Sequence, residues 1–167
     1  FLRVLAAVHR ASAVPVRGIV VGDGPLRASI EAQARALGLD GTTFHVTGAQ
    51  ADVTPWYQCA DVLLLTSDFE GTPNVLLEAM ASGIPVVATR VGGVEDLVCD
   101  GATGHVVEAA DEETLVQRTV ELVRDAGRRQ RLGRAARAHV ERSYALPRLA
   151  AELATLYAAV GGRRARR

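Results

Sequence analysis

Five short runs rich in β-branched residues, each separated from the next by a stretch of helical periodicity, restrict this chain more than any other feature. That alternation is the sequence form of βα units wound around a parallel sheet. The runs fall at Gly18–Val21, Thr43–Thr47, Val62–Thr66, Pro85–Thr89 and His105–Val107. Helical patterns lie between them at Leu26–Leu37, Ala51–Gln58, Pro73–Ser82 and, briefly, Val94–Cys99. Beyond the last run the chain reads as wholly helical, at Glu112–Arg124, Gly127–Ser143 and Leu146–Val160. Phe1 to Ala11 also reads as a helix, with Phe1, Leu5 and Val8 at helical spacing and no cap before them, as though a domain were entered partway. The expected architecture is α/β, a parallel sheet flanked by helices with a helical C-terminal extension. Residues 1–160 form one domain, followed by a basic tail at 161–167.

Charge narrows the partners. Lys+Arg and Asp+Glu each total 19, so no overall field draws the chain to nucleic acid or to an anionic membrane. Every basic residue is arginine, and no lysine can serve a phosphate. Cys59 and Cys99 sit in otherwise apolar stretches without C-x-x-C spacing and are expected to be reduced, buried thiols in a cytoplasmic protein. The apolar runs, such as Val62 to Leu65, are far shorter than the roughly 20 residues a membrane helix needs. His9, His45, His105 and His139 are too scattered to suggest a metal site.

In an open parallel sheet, ligands bind beyond the carboxyl ends of the strands. Small or acidic residues follow four consecutive runs here: Gly22-Asp-Gly24, then Gly48, then Ser67 to Glu70, then Gly92-Gly93. Gly22 to Arg27 has the order strand, glycine turn, helix, which can bring backbone amides to a phosphate. A nicotinamide cofactor is disfavoured, since Arg27 stands where the dinucleotide fingerprint has its third glycine. The bland alternative is a tight turn with Pro25 opening the helix.

The stretch from Ser67 to Gly93 is richer. Thr72 is expected as N-cap and Pro73 as first helical residue, so that free amides point back at the loop holding Glu70. Gly71, without a side chain, lets a ligand approach that backbone closely. Glu78 lies among Val75, Leu76, Leu77, Ala79, Met80 and Ala81, on a helix expected to be packed on most sides, and a buried carboxylate needs a partner. That partner is either an arginine or the hydroxyls of a ligand. Glu70 either supports the helix dipole or accepts hydroxyls of a second sugar. Together the two suggest a ligand with phosphate in the middle and polyhydroxylated groups on either side, as in a nucleoside diphosphate sugar.

These residues resemble the retaining glycosyltransferases of group 1, with the two-domain GT-B fold. Glu70 and Glu78 reproduce the family's E-x7-E motif inside a longer pattern, Ser67-x-x-Glu70-Gly71-x-Pro73, then Leu77-Glu78-Ala79-Met80-Ala81, then Gly83-x-Pro85-Val-Val-Ala-Thr89, then Gly92-Gly93. Similarity extends to Val21-Gly-Asp-Gly-Pro25, Gly48, Asp100-Gly101, Gly104 and the region of Tyr144. The resemblance implies a Rossmann-like sheet forming the C-terminal half of a GT-B fold. It also implies metal-independent transfer of a sugar from a UDP-, GDP- or ADP-sugar to an acceptor hydroxyl, with no cofactor. Carried over residue by residue, Glu78 would bind the ribose. Glu70 would contact the donor sugar with the backbone of Gly71, Thr72, Pro73 and Asn74, while Gly22, Gly24 and Gly48 would flank nucleotide and phosphates and Ser67 would line the cleft.

Departures from the pattern matter as well. The arginine and lysine that the family sends to the donor phosphates from an earlier strand, and its acceptor-binding N-terminal domain, are expected to precede Phe1. Asp96 stands where the family carries glutamate, and Glu95 where proline is common. A non-catalytic nucleotide- or phosphosugar-binding module is the competing reading. The Arg128–Arg142 helix is read as a solvated surface, with docking on the other half or on a membrane face as the alternative. The basic tail is read as a frayed end, with contact to lipid headgroups at the inner membrane face as its sharper alternative. Weak self-association, through an apolar patch where a preceding first strand and the partner half would pack, is a further expectation.

Overall fold

Each expected β run forms a strand, and all pair in parallel. The strands are β1 (Gly18–Val20), β2 (Phe44–Val46), β3 (Leu63–Leu65), β4 (Val86–Thr89) and β5 (Gly104–Val107). Helices α1 (Leu2–Ala11), α2 (Arg27–Ala36), α3 (Thr54–Cys59), α4 (Asn74–Ala81), α5 (Val94–Leu97), α6 (Glu112–Arg124), α7 (Ala126–Ser143) and α8 (Leu146–Arg164) complete the chain. The computed structural model describes residues 1–164, with side chains through Val160, so the side chains of the basic tail at 161–167 lie outside the described residues.

The strands form two blocks, β1–β2 and β3–β4–β5, in place of one continuous sheet. Strand β4, paired on both sides, is buried throughout, and its period of two sorts its residues between two layers. Val86 and Ala88 pack with Leu76, Met80, Leu97, Ala136 and Val140 from α4, α5 and α7. Val87 faces the other way, against Val4, Val8, Leu115 and Leu122 from α1 and α6. Helix α1 also serves the β1–β2 block, because Leu2, Leu5 and Ala6 pack with Ala34, Phe44 and Val46. One helix thus ties both strand blocks together. Strands β1 and β3 each pair on one edge only; Ile19 is exposed and Leu63 to Leu65 are half-buried, in contrast to β4.

Several expectations need correction. Cys59 and Cys99 are exposed, because α3 is a short surface helix with no buried residue and Cys99 falls in the turn after α5. Pro25 does not open α2, which starts at Arg27 after a turn in which the Arg27 amide donates to the Gly24 carbonyl. The arginines of α7 are not simply solvated. Arg129 donates to the carbonyls of Leu122 and Val123 and pairs with Asp61, while Arg128 pairs with Glu121. Among the described residues no helix is long and apolar enough to cross a membrane.

His105 on β5 is buried, with Nδ1 3.4 Å from Asp100 and Nε2 3.4 Å from Arg128. Burial, then Arg118 and Arg128, hold its pKa below 6.5, against a weaker opposing pull from Asp100. The folded state therefore binds fewer protons than the unfolded chain just below pH 6.5. The stability this contributes is full above that pH and is lost as pH falls toward the folded value. Thermal unfolding scanned from pH 7.5 to 5 is expected to show Tm falling, and His105→Gln to flatten the slope; a flat profile for the parent contradicts this. Asp40, held at about 2 by Thr42 and Thr43 donors, acts only at lower pH. In the β4 layer, Leu76 is fully buried, so Leu76→Ala should cost about 3 kcal/mol in denaturant titration.

Candidate functional site

The strand-end loops meet in two corners, one formed by the loops after β1 and β2 and the other by the loops after β3 and β4. The Gly22 amide donates to the Gly48 carbonyl at 3.1 Å, and the two glycines form an isolated bridge with φ of 138° and 76°, a conformation side chains resist. Arg27 braces this corner, with its guanidinium 3.3 Å from Asp23, 3.0 Å from Glu31 and 3.4 Å from the Val46 carbonyl. The Gly24 amide is held by Asp23 at 2.8 Å. Gly22 and Gly48 are thus joined directly, with Gly24 in the turn beside them.

The second corner is built from the loop after β3. Ser67 Oγ donates to Glu70 Oε1 at 2.7 Å, and Thr89 at the end of β4 donates to the Ser67 carbonyl at 2.6 Å. The Gly93 amide donates to the Gly71 carbonyl at 2.7 Å. At Gly92, whose φ is +50°, an added Cβ would stand 1.8 Å from the Glu70 carbonyl oxygen. An added Cβ at Gly71 would meet nothing within 4 Å among the described residues, so its backbone is open to a ligand.

Two expectations about α4 are corrected. Pro73, in extended conformation, is the N-cap and Asn74 the first helical residue, and no side chain caps the helix, so Thr72 does not serve as cap. The cause is the loop itself, which is fixed from below by Gly93 bonding to Gly71 and not by a Thr72 hydroxyl. The first amides of α4 remain without partners of the i−4 type, as at any helix start. Glu78 is exposed, not buried. Leu76, Ala79 and Met80 face the core, and a step of 100° per residue puts Asn74 and Glu78 together on the opposite, open face. Along the axis Glu78 stands about 7.5 Å beyond Pro73. Its carboxylate accepts from the Tyr57 hydroxyl at 2.7 Å, and no arginine pairs with it among the described residues.

Tyr57 escaped the sequence reading. Tyr57 lies 21 residues before Glu78, with only its place in a short Trp-Tyr helix to mark it. Thr89 was legible as a hydroxyl at a strand end, within the Gly83-x-Pro85 segment. Arg90, directly after β4, sits between Glu95 and Glu108, with Nε 2.6 Å from the latter. The described residues contain no group of three or more His, Cys, Asp or Glu able to hold a metal ion. Two surface grooves, of about 530 and 470 Å³, lie elsewhere, one along α6 beside Ala11 and one on α8. Loop backbone and the Glu70 and Glu78 carboxylates make up the rim beside α4.

Known proteins share this arrangement of elements. The profile of the group 1 glycosyl transferases matches residues 1–125. The N-acetyl-alpha-D-glucosaminyl L-malate synthase of Bacillus anthracis is 30% identical over 144 residues, covering 86% of this chain and 38% of that enzyme. A UDP-bound crystal structure of TarM from S. aureus superimposes with a TM-score of 0.86 at 20% identity, over 93% of this chain and 31% of its own. Anabaena HepE in complex with UDP gives 0.85 at 23% identity, over 94% and 44%. The chain spans less than half the length of each of these relatives. Its α/β architecture is that of the GT-B glycosyltransferases, and by the profile match and the B. anthracis relative the chain belongs to the group 1 glycosyl transferases.

Proposed function

We propose that this chain binds a nucleoside diphosphate sugar on the rim described above and presents it for retaining, metal-independent transfer to an acceptor hydroxyl. The observation that carries the reading is the start of α4. Free amides at Asn74 and Val75, the helix dipole, Glu70 in the preceding loop and Glu78 one turn along the open face succeed one another over the span of one ligand. The diphosphate would lie against those amides, Glu78 would accept the ribose hydroxyls, and Glu70, oriented by Ser67, would accept a hydroxyl of the donor sugar. Gly22, Gly24 and Gly48 would bound the nucleotide on the other side. UDP in the TarM and HepE complexes supports a nucleotide donor of this class.

None of these residues is a nucleophile. Their contribution is orientation, together with stabilisation of charge on the departing diphosphate by amides fixed before the reaction begins. The acceptor would come from a further domain of the kind that the longer relatives have room for, and transfer by this chain alone would be weak.

Calorimetric titration with UDP, GDP and ADP and with their glucose conjugates tests the reading. One nucleotide is expected to bind, and Glu78→Ala to weaken it by at least about tenfold, the loss of a hydrogen bond to a charged group. Glu70→Ala is expected to lower affinity for the sugar conjugate while sparing the free diphosphate. A folded chain that binds none of them would sink the proposal.

A further inference from the structure

We propose that Tyr57 is a positioning residue: its hydroxyl fixes the orientation of the Glu78 carboxylate on the open face of α4, leaving the other carboxylate oxygen directed to ligand hydroxyls. The proposal rests on the reading of Glu78 as the ribose acceptor. Tyr57 Oη donates to Glu78 Oε2 at 2.7 Å, and Oε1 has no hydrogen-bond partner among the described residues. An ionised carboxylate has room for about four hydrogen bonds, so the single phenol leaves capacity for a vicinal diol.

The need for such a device follows from the position of Glu78. An exposed glutamate without a cation samples many rotamers, and ordering it on binding costs side-chain entropy. Tyr57 does not share that freedom. It has two side-chain torsions, and it packs, partly buried, against the core cluster to which Leu76, Ala79 and Met80 of α4 belong. The phenol is thereby anchored by its packing as well as by its bond to Glu78, so the carboxylate is ordered before any ligand arrives. Burial, then the bond to Glu78 and its charge, raise the Tyr57 pKa, which keeps the phenol a donor across the physiological range. Helix α3 has no buried residue, and Tyr57 and Trp56 are its only residues that are not fully exposed. A purely structural role as a tether for α3 is the alternative the experiment must separate.

Tyr57→Phe keeps the ring and removes the hydroxyl. Affinities of parent and variant for UDP, GDP and ADP are compared with those for the matching 2′-deoxy and 3′-deoxy nucleoside diphosphates, alongside thermal unfolding. The parent is expected to prefer the ribonucleotide it binds, and Tyr57→Phe to reduce that preference by about fivefold while deoxy affinities and Tm stay near parent values. Adding Tyr57→Phe to Glu78→Ala should cause no further loss. If affinity for ribo and deoxy forms falls equally with a lower Tm, or if the preference survives intact, Tyr57 does not position Glu78, and the parent's preference for the ribonucleotide leaves the reading of Glu78 standing. If the parent binds ribo and deoxy forms alike, the reading of Glu78 itself fails and the role of Tyr57 with it.

Discussion

The backbone contact between Gly92-Gly93 and Glu70-Gly71 is the constraint on which the rest of the rim depends. Two loops from adjacent strands approach so closely that a methyl group at residue 92 would overlap the Glu70 carbonyl, and the Gly93 amide closes the contact with a hydrogen bond to Gly71. This makes the end of β4 a floor for the loop that follows β3. With Thr89 holding the Ser67 carbonyl from the same strand, the loop is gripped at both ends, and Glu70 is oriented from within by Ser67. The start of α4 inherits its position from that grip and not from a side-chain cap.

Packing below the rim supplies the rigidity. Strand β4 has neighbours on both edges and helices on both faces, so the turn that follows it rises from the most completely buried element of the chain. Helix α4 is fastened to the same layer by Leu76, Ala79 and Met80, which leaves Asn74 and Glu78 on its free side. The carboxylate-bearing corner is therefore tied to the deep core. The Gly22–Gly48 corner belongs to the other strand block and reaches that core through the two faces of α1.

Much of this was legible in the sequence because the signals are local. Strand and helix positions follow from hydrophobic period, and the rim follows from which loops leave carboxyl ends. Burial of individual polar groups was not legible. Glu78 looks buried when only its apolar neighbours are read, yet helical phase turns it away from Leu76 and Met80. Cys59 likewise borrowed an apolar reading from a helix that lies on the surface. The cap at Thr72 failed for a tertiary reason, since the loop is held by residues 22 positions downstream. Tyr57 with Glu78, and β1 and β3 as separate single-sided edges, depend on contacts that no local pattern encodes.

Amide hydrogen exchange at Gly93, whose N–H is bonded to the Gly71 carbonyl, in the parent and in Gly92→Ala tests most directly whether the β4 turn holds the ligand shelf. Exchange at Gly93 is predicted to accelerate in the variant while β4 and β5 amides keep their protection, a local opening and not a global one. Exchange at Gly93 unchanged by Gly92→Ala would contradict the account, because the loop would then owe its position to something other than the contact beneath it.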